Sequence, residues 1–214
     1  MFYRDSLYVL VALYVSSSYS LGQIPTQGTA YSDPTTEYRA VLDAYFYNVA
    51  ALPASSIAVG TYPSFEPESE IVIQSGPAGY AVAQVTATKQ VWGNANDLTK
   101  VHSTTQQYIS KALTIKAKKY NVPLFAQQVD DLIRQLRQID ISSSAPRGTL
   151  KNSKGQAVLM TDGTGYELIL EGGRVRTWVT DTSHSDVISE NPRLLEWILS
   201  LQAAVKKARQ GSQP

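Results

Sequence analysis

The segment from residue 57 to residue 92 places the strongest constraint on the fold. It contains three runs rich in β-branched and aromatic residues, at 57–59, 71–73 and 80–92. Gly76-Pro77-Ala78-Gly79 separates the last two runs and has the composition of a turn between paired strands. We therefore predict a β-hairpin here, and an antiparallel sheet built around it.

Two helices are predicted on either side of this segment. Asp33-Pro34 is expected to begin the first, because Asp is a good N-cap and Pro fits the first helical turn. Apolar residues then recur at helical spacing as far as Val49, and the helix is expected to end near Leu52-Pro53. Ser103 and Gln106 have the spacing of a capping box, which predicts a second helix through about residue 120.

The carboxyl-terminal half continues the mixed pattern. Residues 125–139 predict an amphipathic helix, and Asn191-Pro192 begins the final one. Between them lie three short strand candidates, at 157–160, 166–170 and 175–179. The hairpin-turn pairs are Asp162-Gly163 and Gly172-Gly173. The predicted class is α+β, an antiparallel sheet of hairpins with amphipathic helices packed on one face.

The first twenty residues have the order of an export signal. An apolar run at residues 7–15 follows Arg4 and precedes small polar residues. We expect residues 1–20 to be a signal peptide, with cleavage before Leu21 or, alternatively, before Gln23. A buried strand or helix and an uncleaved membrane anchor are the other interpretations. The apolar run is shorter than the roughly 20 residues of a spanning helix.

This signal sets the expected organisation and compartment. Residues 21–32 are predicted to form a flexible leader and residues 33–214 a single α+β domain, which the polar stretch 142–148 could divide into two lobes. The chain contains no Cys, which excludes both a lipid-attachment cysteine and disulfides. We therefore expect a periplasmic or secreted protein without stable membrane insertion after signal cleavage.

Charge is sparse and nearly balanced. Charged residues make up 17% of the chain and the formal net charge is +1, which argues against nucleic acid as a partner. The densest basic group is Lys206-Lys207-Arg209, near the end of the last predicted helix. Cations at this position complement the helix dipole, and a phosphate or membrane patch is the alternative interpretation.

The weak catalytic candidates lie in the 181–186 loop, between a strand and the last helix. Asp181, His184 and Asp186 bring carboxylates and an imidazole together within six residues. No recognised metal-ligand spacing is present, and no cofactor or metal is predicted. His102, the only other histidine, is expected to be exposed or close to a helix cap.

The remaining carboxylates are interpreted as ordinary solvated charge. Glu66, Glu68 and Glu70 alternate in a Pro-containing segment, and Asp130-Asp131 are neighbours on a predicted helix. Neither group has the pattern of a paired acid–base site.

Aromatic residues on the predicted strands offer an interaction surface. Trp92, Trp178, Tyr80 and Tyr166 would form it if their side chains face solvent, because Trp and Tyr dominate binding hot spots. Packing in the core is the alternative. The sequence favours an exported, non-catalytic binding module whose partner is another protein or an extracellular ligand. The alternative function is an exported hydrolase or metal-dependent enzyme that uses the 181–186 loop.

Overall fold

An antiparallel sheet of six strands organises the structure, a computed structural model. It describes residues 34–46, 52–91, 93, 104–141, 151–152, 154, 163–171, 175–181, 187–188 and 191–211. The helices are α1 (Pro34–Tyr45), α2 (Thr105–Ala112), α3 (Ala126–Leu136) and α4 (Pro192–Gly211). The strands are β1 (Ser56–Pro63), β2 (Ser69–Gly76), β3 (Gly79–Ala87), β4 (Ala117–Asn121), β5 (Lys151–Asn152), β6 (Thr164–Leu170), β7 (Val175–Thr180) and β8 (Val187–Ile188).

The strand order in the sheet is β4-β3-β2-β1-β6-β7, and every neighbouring pair is antiparallel. β5 and β8 form a separate antiparallel pair. The central pairing joins β1 to β6, which lie about a hundred residues apart in sequence, with Val59 opposite Leu168. The predicted α+β class with an antiparallel sheet is confirmed.

The predicted β2–β3 hairpin is confirmed as well. Gly76 pairs with Gly79 across a two-residue loop, Pro77-Ala78. Gly79 has a φ of +106°, a conformation that L side chains rarely adopt, so this position favours glycine.

One face of the sheet is covered by α3 and α4. Since side chains alternate along a strand, Val59, Ile71 and Leu168 share this face. Apolar residues of both helices join the same core cluster. Its helical members are Val129, Leu132, Leu136, Leu194, Trp197, Ile198, Leu201 and Val205. The Trp197 indole N–H donates to the carbonyl oxygen of Leu132 at 2.7 Å, which joins the two helices.

α1 and α2 contact the opposite face. Their buried residues cluster with Tyr62 and Ala87, whose positions in the strand register belong to that face. The helical members of this cluster are Tyr38, Val41, Leu42, Tyr108 and Ala112. The expected packing on one face therefore describes α3 and α4, whereas α1 and α2 lie on the other side of the sheet.

The second helix is shorter than its sequence predicts. The predicted helix through about residue 120 is wrong beyond Ala112, because 117–121 pairs as β4 with the edge of β3. Unpaired backbone groups on that edge make strand pairing favourable for this segment. The capping box is also displaced by one residue, to Thr104 and Gln107, since the run Ser103-Thr104-Thr105-Gln106-Gln107 contains the pattern twice.

Several predictions concern residues outside the described ranges. They include the signal peptide, the leader, the connector at 142–148 and the strand at 157–160. Residues 33–214 form one compact unit by their internal contacts. Within the described part, no helix has both the length and the apolarity needed to cross a bilayer.

A close contact between Gly60 and Tyr62 shapes the face that α1 covers. Both residues point to the same side of β1, and the Tyr62 side chain folds back over Gly60. A Cβ at position 60 would lie 2.0 Å from the Tyr62 hydroxyl oxygen and 2.3 Å from the ring carbon that bears it. Since Tyr62 is only 5% exposed, the ring has little room to move away.

We predict that Gly60→Ala lowers the free energy of unfolding by about 1–3 kcal/mol, the usual cost of overpacking a core. Gly211→Ala is the matched control, because a Cβ there meets no heavy atom within 4 Å. Urea denaturation of both variants measures the difference. Equal stability of the two variants would show that Tyr62 can move at no cost.

Candidate functional site

The structure describes one member of the predicted 181–186 site. The Asp181 backbone N–H donates to the carbonyl oxygen of Thr164 at 2.9 Å, at the end of the β6–β7 pairing. His184, Asp186 and the second histidine, His102, lie outside the described residues. The catalytic interpretation of this loop therefore stays a prediction that rests on the sequence.

The predicted aromatic surface is distributed over different environments. Tyr166 is buried in the core, where burial first and the charge of Asp181 second raise the pKa of its phenol to about 12. Tyr80 is half-buried, and its hydroxyl donates to Asp130 Oδ1 at 2.6 Å on α3. Trp92 and the side chain of Trp178 lie outside the described part of the chain. Of the two whose side chains the structure describes, Tyr80 is the more exposed.

A cluster of charged side chains lies between α1 and the sheet. Arg176 on β7 donates through Nη1 and Nη2 to the Asp43 carboxylate on α1, at 2.7 and 2.8 Å. The same guanidinium donates through Nε and Nη2 to Glu167 on β6, at 3.0 and 2.8 Å. Arg39 on α1 adds an ion pair to Glu167 at 3.1 Å. We call Arg39, Asp43, Glu70, Glu167 and Arg176 the α1 charge cluster.

Glu70 completes the α1 charge cluster from β2. The register places Gly60 directly opposite both Glu70 and Glu167, so the two carboxyl groups face α1 from either side of β1. Glu70 is 2% exposed, and its Oε2 has no hydrogen-bond partner. Burial, then the charges of Asp43 and Glu167, raise the Glu70 pKa from 4.5 to about 8, against the opposing charge of Arg176. Glu70 is therefore protonated at neutral pH.

The solvated interpretation of the alternating glutamates is right for only one of them. Glu66 is exposed, but Glu68 and Glu70 are buried. A Glu68 carboxylate oxygen accepts a hydrogen bond from the backbone N–H of Val91. Glu70 lies in β2, which pairs on both sides, and Glu68 immediately precedes that strand; the local pattern of alternating charge does not reveal this environment.

The α1 charge cluster has the chemistry of a structural network. Two guanidiniums balance Asp43 and Glu167, and Glu70 carries its own proton. A general acid must come within hydrogen-bond reach of its substrate, and Glu70 Oε2 is enclosed by protein. Among the described residues, no group of three or more His, Asp or Glu side chains has an arrangement that could hold a metal ion.

A groove beside the last turns of α4 offers a different kind of surface. Its volume is about 420 Å³, and its polar walls come from α4 and β3. The polar lining residues are Gln84, Gln202, Lys206, Arg209 and Gln210. We call this site the α4 groove. It lies on the sheet face that α3 and α4 cover, since it includes Ile71 and Gln84, which pair directly across β2 and β3.

A second groove of about 420 Å³ lies between α3 and the ends of several strands. Tyr80 and Arg137 belong to it, together with an apolar set. That set is Ile57, Ile133, Leu136, Ile139, Ile141 and Leu170. The other polar residues that line this groove are Ser55, Ser56, Ser75 and Glu171, so it carries a carboxylate, whereas the polar lining of the α4 groove is amide and cationic.

Sequence reasoning missed the α4 groove, although its signal is present. Positions 202, 205, 206, 209 and 210 follow helical spacing and share one face of α4. The same face carries the apolar residues 194, 198 and 201 in the earlier turns. A face that changes from apolar to polar along one helix indicates the place where the helix leaves the core.

Comparisons with known proteins do not indicate a function. No protein-family model, curated protein or solved structure matches the chain.

We predict that Arg176→Met lowers the free energy of unfolding by about 3 kcal/mol or more, because it leaves Asp43 and Glu167 without their shared partner. Arg134→Met removes the same charge from an exposed pair with Asp131, and we expect little change. Thermal and urea denaturation compare the two variants. A similar effect of both substitutions would contradict the role assigned to Arg176.

We also predict a distinct pH dependence for Glu70→Gln. The raised pKa of Glu70 means that the folded wild type binds more protons than the unfolded chain between pH 4.5 and about 8. Wild-type stability should therefore fall relative to Glu70→Gln as pH rises through this window, by up to about 1.4 kcal/mol per pH unit.

The measurement is a series of urea unfolding curves between pH 4 and pH 9, with the exposed Glu66→Gln as control. Glu66→Gln should follow the wild-type pH dependence. Parallel curves for wild type and Glu70→Gln would show that Glu70 has the same pKa in the folded and unfolded chains.

Proposed function

We propose that this protein is an exported binding module that performs no covalent chemistry, with the α4 groove as its binding site. The observation that carries the proposal is the orientation of Arg209. Its guanidinium donates to Gln84 Oε1 at 2.8 Å and lies 3.8 Å from the centre of the Tyr120 ring. The side chain is thus held on the sheet at the groove wall, with further N–H groups available to a ligand.

The pairing of charges within the α1 charge cluster supports the proposal that the protein performs no covalent chemistry. Asp43 and Glu167 are occupied by guanidinium donors, and Glu70 is enclosed. The acid–base groups that the structure places together are therefore committed to holding α1 on the sheet. A binding role for the α4 groove requires no such groups.

Export is the second part of the proposal. It rests on the apolar run at residues 7–15 and the small residues that follow it. The expected location is the periplasm or the extracellular space, and the expected partner is another protein or an extracellular ligand. The alternative function, a hydrolase or metal-dependent enzyme, rests on the composition of residues 181–186.

Export predicts that the chain recovered from the exported fraction lacks residues 1–20 or 1–22 by intact mass. Leu10→Arg places a charge in the apolar run and should leave the full-length chain inside the cell. Gln27→Arg, in the leader, is the control and should be exported and cleaved. An exported chain that retains Met1 would contradict cleavage.

The binding role predicts that molecules retained by the immobilised protein depend on the α4 groove. The groove variant is Gln84→Ala with Arg209→Gln, and the loop variant is His184→Ala with Asp186→Asn. Native mass spectrometry of retained material from the exported fraction should show the same species on wild type and loop variant, and its loss on the groove variant. Loss on the loop variant alone would contradict this proposal and favour the enzyme.

A further inference from the structure

The α4 groove presents hydrogen-bonding groups whose orientation is already set. Gln84 Oε1 accepts from Arg209, so the Gln84 amide nitrogen is left to donate. Gln202 donates through Nε2 to Thr61 Oγ1 at 2.8 Å, so its Oε1 is left to accept. A donor and an acceptor held in the same groove suit hydroxyl groups, which can both accept and donate.

The charge of the α4 groove is positive. Lys206 and Arg209 line it, and no carboxylate does so among the described residues. Arg209 contacts Gln84 on β3 and Tyr120 on β4. These contacts hold the Arg209 side chain against the sheet. Interaction with the dipole of α4 therefore does not account for its position. An Arg held in this way can bind a carboxylate through two parallel N–H donors.

The floor of the α4 groove is apolar. Ile71 on β2 and Val205 on α4 are almost fully buried and lie beneath the polar walls. Since both are so little exposed, the C–H face of a sugar ring would mainly contact the methylene groups of the Gln, Lys and Arg side chains in the lining, while its hydroxyls bond to the amides. Inorganic phosphate has no apolar face and would fill only part of the groove. The groove volume of about 420 Å³ falls near the lower end of the roughly 300–1,000 Å³ typical of small-molecule sites.

We infer that the α4 groove binds a small acidic saccharide, with the uronic-acid carboxylate on Arg209 and Lys206 and the ring hydroxyls on Gln84 and Gln202. This assignment rests on the proposed binding function and names the ligand class of the same site. It commits the ligand to three features together, which are a ring carboxylate, ring hydroxyls and an apolar ring face.

The test is a calorimetric and NMR titration of the mature chain with digalacturonate. Neutral digalactose and inorganic phosphate are the comparison probes. We expect digalacturonate to bind more tightly than either probe, and to shift the amide resonances of Gln84, Gln202 and Arg209. Arg209→Gln should weaken binding by roughly tenfold or more, the usual effect of losing a charge-assisted hydrogen bond.

Lys207→Gln is the matched control, since it removes the same charge from the neighbouring, exposed turn and does not line the groove. It should leave affinity unchanged. Lys206→Gln is a second groove variant, and it keeps the test decisive if Arg209→Gln disturbs the packing on Tyr120. It should weaken binding several-fold without altering the unfolding midpoint.

Three results would overturn the assignment. They are no binding of digalacturonate at millimolar concentration, binding of phosphate or digalactose that is as tight, or an equal loss of affinity in Lys207→Gln. If digalacturonate does not bind but retention of another ligand depends on the α4 groove, the acidic-saccharide assignment is wrong and the proposed binding function is still supported. If retention shows no dependence on the groove, the proposed function falls with it.

Discussion

The bridge from Arg176 to Asp43 and Glu167 is the interaction on which the arrangement of this fold depends. It connects α1, near the beginning of the described chain, to β6 and β7 in its last third. Bringing α1 onto the sheet buries Glu167 almost completely, which would be costly without a partner. Arg176 offsets that cost with four hydrogen bonds from one planar group, and its geometry therefore specifies where α1 lies.

The same bridge determines the charge state of its neighbourhood. Arg39 and Arg176 neutralise two carboxylates, so a third negative charge on Glu70 would have no partner in an enclosed space. Glu70 is neutral instead, and burial raises its pKa accordingly. Tyr62 lies across Gly60 in this region, and burial together with the nearby carboxyl groups raises the pKa of its phenol as well. The charges on this face therefore balance, with the two guanidiniums opposite two carboxylates and Glu70 protonated.

Local sequence patterns predicted the helices and strands whose boundaries are set by residues close to them in the sequence. The β2–β3 hairpin follows from its turn residues, and α3 and α4 follow from strong helical spacing. β4 could not be predicted in this way, because its strand state depends on the open edge of β3 some thirty residues earlier. The burial of Glu70 is also non-local, since it requires β1 on one side, β3 on the other and α1 above. The candidate sites are harder still to predict from the sequence, because each combines side chains from several helices and strands.

The α4 groove lies where α4 extends beyond the apolar core that it covers. α4 has 20 residues, and at about 1.5 Å per residue it spans roughly 30 Å. Its buried apolar residues end at Val205, while the helix continues to Gly211 on the same face with Lys206, Arg209 and Gln210. Beneath these last turns the sheet presents Gln84 and Tyr120 beside the aliphatic Ile71. The groove therefore lies where the buried apolar residues of α4 end and its backbone continues.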